Sequence, residues 1–138
     1  SITGICFNQD VSEDLKALAH EITDSFGTTF ELAEKDFDTF TALAGSSPAY
    51  IYLFIEAMAK AGVKNGLTKT QALDIVTQTV ISSAQNLLAS EDSPHDLIDK
   101  ICSPGGTTIA GLMDLEKTGL THSVVSAIDA TIDRAKKL

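Results

Sequence analysis

Apolar residues recur along this chain in two rhythms, and the rhythm changes early. Ile2 to Phe7 is a short apolar run closed by Asn8-Gln9-Asp10, which predicts a strand. Behind it, Leu15, Leu18, Ala19, Ile22 and Phe26 recur at helical spacing. Ser12 stands where an N-cap belongs, with Glu13 and Asp14 in the first turn, where negative charge is favoured. Gly27 is placed to end this helix as a C′ residue. Thr28 to Leu32, rich in Thr and Phe, predicts a second strand. A strand–helix–strand unit normally makes a parallel pair.

Two parallel strands do not make a stable sheet alone, because parallel sheets are covered on both faces and need more strands. Nothing further along supplies another convincing strand. The first 35 residues are therefore expected to be the tail of a larger α/β domain, or to pair with another chain. The absence of an initiator Met fits a processed or excised piece.

From Asp36 the pattern is helical. Phe37, Phe40, Thr41 and Leu43 give a short amphipathic segment, expected to end at Ala44-Gly45. Ser47 is then expected to cap a new helix, with Pro48 at its first position, where a missing N–H does no harm. Residues 49–63 are apolar on nearly every side, with only Glu56 and Lys60 charged. A helix of this kind is expected to be buried all round. Gly62 and Gly66 are placed to loosen and stop it. Thr68 with Gln71 resembles a capping box for a long helix bearing Leu73, Val76, Val80, Ala84, Leu87 and Leu88 on one face. No charge occurs between Asp74 and Glu91, yet the many Thr, Ser, Gln and Asn residues there exclude a membrane span. A partner surface explains that neutral face better than solvent does. Two such apolar helices exceed what so small a domain hides, and they predict an obligate dimer.

Ser93-Pro94 starts the next helix, with Leu97, Ile98 and Ile101 as its stripe. The stretch Ser103-Pro104-Gly105-Gly106-Thr107-Thr108 follows. Pro104 stops what precedes it, and the two glycines let the backbone bend and a ligand approach. The next helix carries Ile109, Leu112 and Met113 and stops at Gly119. A last helix places Val124, Val125, Ile128 and Ile132 on one stripe, with Arg134, Lys136 and Lys137 at its end. The glycine turn thus feeds a helix N-terminus, whose free N–H groups and partial positive charge suit a carboxylate. A plain loop with a threonine cap is the competing reading.

Composition removes several alternatives. The formal net charge of -9 and the lack of Lys/Arg clusters argue against a nucleic-acid role. Cys6 and Cys102 have no CxxC spacing and are expected to be buried small hydrophobes in a reducing compartment. His20, His95 and His122 have no metal-ligand spacing, so no metal site is expected. No signal peptide and no Gly-x-Gly-x-x-Gly element occur, so the chain holds no complete dinucleotide site of its own.

Leu43-Ala44-Gly45-Ser46-Ser47-Pro48-Ala49-Tyr50, followed at the expected distance by Ser103-Pro104-Gly105-Gly106-Thr107-Thr108-Ile109-Ala110-Gly111-Leu112, resembles pyrroline-5-carboxylate reductase. Gly62 to Leu67 and Glu34 to Asp38 also fit. The resemblance covers the C-terminal half of such an enzyme. It implies a mainly α fold: residues 1–35 as the remnant of a dinucleotide-binding, Rossmann-like domain, and 36–138 as an all-helical dimerisation and substrate-binding domain. It implies reduction of Δ1-pyrroline-5-carboxylate to L-proline, the last step of proline biosynthesis, in the cytoplasm with NADPH or NADH. It implies a homodimer, with dimers often assembling into rings, and an active site shared between one subunit's nucleotide domain and the partner's helical domain. By the same resemblance Ser103, Gly105, Gly106 and Thr107 would hold the substrate carboxylate. Thr108 would place its hydroxyl beside the ring nitrogen as the catalytic residue, and Ser46 and Pro48 would lie near the nicotinamide. The family more often has Ser and Gly where this chain has Ala44 and Ser47. The chain alone is expected to be inactive. The alternatives are the helical module of another NAD(P)-dependent imine or hydroxy-acid reductase, and a dimerisation module without a working site.

Overall fold

The computed structural model describes residues 1–137. Strand β1 (Ile2–Ile5), helix α1 (Glu13–Asp24) and strand β2 (Thr28–Glu31) come first, followed by a 3-10 turn at Glu34–Asp36. Helices α2 (Phe37–Phe40), α3 (Ser47–Lys64), α4 (Lys69–Ala89), α5 (Pro94–Ile101), α6 (Thr107–Lys117) and α7 (Leu120–Ala135) complete the chain. A helical array preceded by one β-α-β unit is the architecture the hydrophobic pattern predicts. The chain divides into two compact units, residues 1–48 with the later turns of α7, and residues 49–126.

In the first unit β1 and β2 are parallel, with Ile2 opposite Thr28 and Ile5 opposite Glu31. Both strands are a residue or two shorter than the apolar runs. Leu32 lies beyond β2, but its N–H still donates to the Ile5 carbonyl at 2.9 Å. The Ser12 hydroxyl accepts from the Leu15 N–H at 3.4 Å, as its cap position predicts. Gly27 departs from expectation. Its φ is not positive, and Ser25 is the C-cap instead. The Ser1 backbone crowds it, since a Cβ there would lie 2.2 Å from the Ser1 carbonyl oxygen. Gly27 is thus required by the close pass of Ser1, just before β1, not by helix termination. Phe40 lies over β1 at Gly4 and beside the rings of Phe30 and Phe37, at 6.4 and 6.2 Å. An apolar concavity of about 480 Å³ opens among Ile2, Phe30, Leu32, Phe40, Leu43 and Ala44.

In the second unit α3 ends in a Schellman motif. Gly66 has φ +103, its N–H donates to the Val63 carbonyl, and the Leu67 N–H donates to the Gly62 carbonyl. Gly62 does not loosen the helix end. It is a contact point, because an added Cβ would meet the Ala72 Cβ at 3.0 Å. The Thr68–Gln71 capping box opens α4 as its sequence suggests.

The core is small. Among the described residues only Ala42, Ala59, Ala72 and Val76 are buried. The expectation that α3 is covered on all sides does not hold within one chain: Tyr52 is 70% and Leu53 69% exposed. On α4, Leu88 is 88% exposed. Nor are the cysteines buried. Cys6 is exposed just past β1, and Cys102 is half-buried at the end of α5. Apolar side chains outnumber the positions that a single copy encloses.

Candidate functional site

The glycine turn is anchored by the helix before it. Ser93 caps α5, its hydroxyl accepting from the Asp96 N–H while the Asp96 carboxylate accepts from the Ser93 N–H and hydroxyl. Those hydrogen bonds from Ser93 hold the Asp96 carboxyl below its ordinary value of 3.8. At the other end of α5, Lys100 donates to Asp92. That hydrogen bond and one from the Ser90 hydroxyl lower the Asp92 carboxyl too. A helix of two turns is thereby tied at both ends before the chain turns.

Cys102 leaves the helix with φ -87 and ψ 96. The Gly106 N–H then donates to the Ser103 carbonyl at 3.0 Å across Pro104 and Gly105. Gly105 has φ +68, which with proline before it is the pattern of a type II turn. Gly106 is required for a different reason. A Cβ there would lie 2.4 Å from the Ser103 Oγ and 3.1 Å from the Ser103 carbonyl oxygen. The Ser103 hydroxyl therefore occupies the space over Gly106.

Gly106, not a threonine, is the N-cap of α6, and no side chain caps it. Thr107 and Thr108 are the first two helical residues, and both are exposed. The first N–H groups of any helix lack intrahelical partners. Here no acidic residue stands in the first turn to occupy them. The hydroxyls of Ser103, Thr107 and Thr108 form no hydrogen bond among the described residues. The turn thus gathers Ser103, Gly105, Gly106, Thr107 and Thr108 around donors that suit a small anion. It contains no group that titrates, so it can bind and orient but cannot by itself move a proton over the neutral range.

Ser46 and Pro48 belong to the first unit, and their setting differs from expectation. The chain does not break at Ala44-Gly45. Thr41–Ser46 forms a π-helical turn that runs from α2 directly into α3. Ser47 is no cap, for its φ -58 and ψ -25 are helical. The reason is Pro48. Proline has no N–H and its ring clashes with the carbonyl four residues back, so a regular helix cannot pass. Widening the preceding turn relieves the clash. The Ser47 N–H and hydroxyl both donate to the Ala42 carbonyl, the hydroxyl at 2.8 Å. Ser46 is half-buried, and its hydroxyl forms no hydrogen bond among the described residues. Single-turn π insertions are frequent at functional positions. The Ser-Ser-Pro order was legible, but a hydroxyl reaching five residues back was not.

His20 lies 3.3 Å from the Glu31 carboxylate and 5.9 Å from the Phe7 ring, away from the turn's sequence. No group of three His, Cys, Asp or Glu side chains is arranged to hold a metal among the described residues. None of the described helices is long and apolar enough to cross a membrane.

The turn, α3 and α4 all fall within residues 34–138, which match the family described as pyrroline-5-carboxylate reductase dimerisation. The chain is 43% identical over 137 residues to the pyrroline-5-carboxylate reductase of Aquifex aeolicus, covering 99% of this chain and 52% of that one. It is 71% identical to the solved 1-pyrroline-5-carboxylate reductase of Streptococcus pyogenes, with a TM-score of 0.89 over 95% of this chain and 51% of that chain. The Plasmodium falciparum pyrroline carboxylate reductase, solved with NADP bound, is 38% identical with a TM-score of 0.87, over 97% of this chain and 52% of that one. The chain thus spans about half the length of the relatives it matches. It belongs to the pyrroline-5-carboxylate reductase dimerisation family.

Proposed function

We propose that this chain supplies the substrate turn and the dimerisation surface of a pyrroline-5-carboxylate reductase, which reduces Δ1-pyrroline-5-carboxylate to L-proline with NADPH or NADH. The observation that carries this reading is the turn at Ser103–Thr108, with hydroxyls unpaired among the described residues at a helix N-terminus that no side chain caps, inside a family-matched segment. Ser103, Gly105, Gly106 and Thr107 hold the substrate carboxylate, through hydroxyls and the N–H groups of the first turn of α6 that the glycines leave accessible. Thr108 sets its hydroxyl against the ring nitrogen and fixes the plane of the imine. The catalytic contribution of these residues is positioning.

Residues 1–35 act as the closing β-α-β of a dinucleotide-binding domain, and 36–138 as the helical domain. The parallel pairing of β1 and β2 across α1 supports the first assignment. The half-buried hydroxyl of Ser46, two residues before Pro48 and without a hydrogen bond among the described residues, fits a polar contact to the cofactor's nicotinamide amide. The dinucleotide, when bound, supplies the hydride. Its phosphates need a glycine-rich turn that this sequence does not contain. The helical domains of two copies interlock, in an assembly acting in the cytoplasm, and such dimers can join into larger rings.

The test joins this chain to the other half of the Streptococcus pyogenes reductase and follows NADPH oxidation with pyrroline-5-carboxylate. The joined protein turns over and the chain alone does not. Thr108→Ala lowers kcat at least tenfold. Turnover by the chain alone, or full activity of Thr108→Ala, overturns the respective assignment.

A further inference from the structure

We propose that Ser47 is a positioning residue, one that holds the π-helical turn so that Ser46 meets the dinucleotide. The inference rests on the reading above, in which the Ser46–Pro48 segment faces the cofactor.

Three observations carry it. The first is the turn itself. Pro48 withholds an N–H at the point where a helix would bond back to Ala44, so the backbone around Ser46 lacks one restraint that an ordinary helix has. The second is the replacement restraint. The Ser47 hydroxyl donates to the Ala42 carbonyl at 2.8 Å, alongside the Ser47 N–H, so both lone pairs of one carbonyl are used. A serine hydroxyl ordinarily reaches the carbonyl three or four residues back. Here it reaches five back, which the wider π register permits. The third is the anchor. Ala42 is 0% exposed, while the Ser46–Pro48 segment is half-buried or exposed. The hydroxyl therefore ties the exposed side of the turn to a fixed point in the core. Ser46 lies within the loop that this bond closes, and its own hydroxyl has no hydrogen-bond partner among the described residues.

A restraint of this kind leaves the chemistry at Thr108 untouched and acts on how well the cofactor is seated. The discriminating pair is Ser47→Thr and Ser47→Val in the joined reductase, since the two side chains have the same shape and only threonine keeps the hydroxyl. Ser47→Thr is expected to keep KM for NADPH within twofold of the parent. Ser47→Val is expected to raise it at least fivefold, with kcat and KM for pyrroline-5-carboxylate within twofold. Thermal melts of both variants accompany the kinetics. Equal KM values for NADPH in the two variants overturn the proposal. So does a rise in both KM values together with a lowered melting temperature, which marks general loosening. Failure of the underlying reading looks different: the parent itself then reduces no pyrroline-5-carboxylate. In that case NADPH binding, followed by its fluorescence, decides the matter for Ser47, and equal affinities for Thr and Val again overturn it.

Discussion

Gly105 and Gly106 are adjacent and identical in the sequence, yet the structure needs them for unlike reasons. Gly105 needs glycine for its backbone, with φ +68 and open space where a Cβ would stand. Gly106 has an ordinary backbone and needs glycine for space, because the Ser103 hydroxyl is 2.4 Å from the Cβ position. The two alanine variants should therefore separate stability from binding. Gly105→Ala puts a side chain in the left-handed region at a cost of about 1–2 kcal/mol. It should lower the melting temperature and leave KM for pyrroline-5-carboxylate within about threefold. Gly106→Ala must displace the Ser103 hydroxyl or open the turn, and it should raise that KM more than tenfold with a smaller change in melting temperature. Kinetics and melts on both variants of the joined reductase check this. The reverse ranking would mean that Ser103 moves freely, and that its place over Gly106 has no part in holding the carboxylate.

At the scale of single elements, short-range rules decide most of what is seen. The Ser93–Asp96 box is the clearest case. Replacing Ser93 by Ala removes an N-cap and should cost about 1 kcal/mol, and it should loosen the turn that α5 delivers. The pH response has a definite sign. Asp96 is held below its ordinary value of 3.8 by hydrogen bonds from Ser93, and Asp92 by those from Lys100 and Ser90. Carboxyls whose folded values are depressed contribute stability that is fully present well above 3.8 and is lost as the pH falls through the folded values. The melting temperature should thus be flat with respect to these groups near neutrality and decline below about pH 4. Asp96→Asn should shrink that decline. An unchanged acid limb in Asp96→Asn would remove Asp96 from the account. Caps such as Ser12, Thr68 and Ser93 were legible in the sequence because each depends on residues three apart. The stop at Gly66 and the turn at Pro104-Gly105 were legible from their glycines and proline. The unbroken passage through Ser47 was not, since serine before proline fits both a helix start and a π turn. The choice between them rests on whether the Ala42 carbonyl is buried and within reach. Gly27 misled likewise, because its neighbour Ser1 is remote in sequence.

At the scale of the whole molecule, the question is what covers the apolar surface. No described side chain larger than valine is buried, so one copy has little core of its own. Meanwhile Ile51, Tyr52, Leu53, Phe54, Met58 and Val63 on α3 lie 37–70% exposed, and Leu73, Ile75, Ile81, Leu87 and Leu88 on α4 lie 37–88% exposed. Fully burying one such side chain is worth about 1.5–3 kcal/mol, so covering the exposed half of each returns roughly 1 kcal/mol per residue. Summed over both helices this is on the order of 10 kcal/mol, as large as the whole stability of an ordinary domain. A surface of that value is not left in water when a second copy can cover it, and α4 carries no charge between Asp74 and Glu91 to oppose the contact. The mass in solution, by size-exclusion chromatography with light scattering, should be twice 14.6 kDa or a multiple of that. Leu88→Glu places a carboxylate at the most exposed leucine of α4 and should shift the chain toward the monomer. Association that covers these faces stabilises the fold, so the same variant should also melt earlier, and the parent's melting temperature should rise with protein concentration. A parent that is monomeric and melts sharply at a concentration-independent temperature would show that one copy suffices. The exposed faces of α3 and α4 would then no longer argue for a second copy.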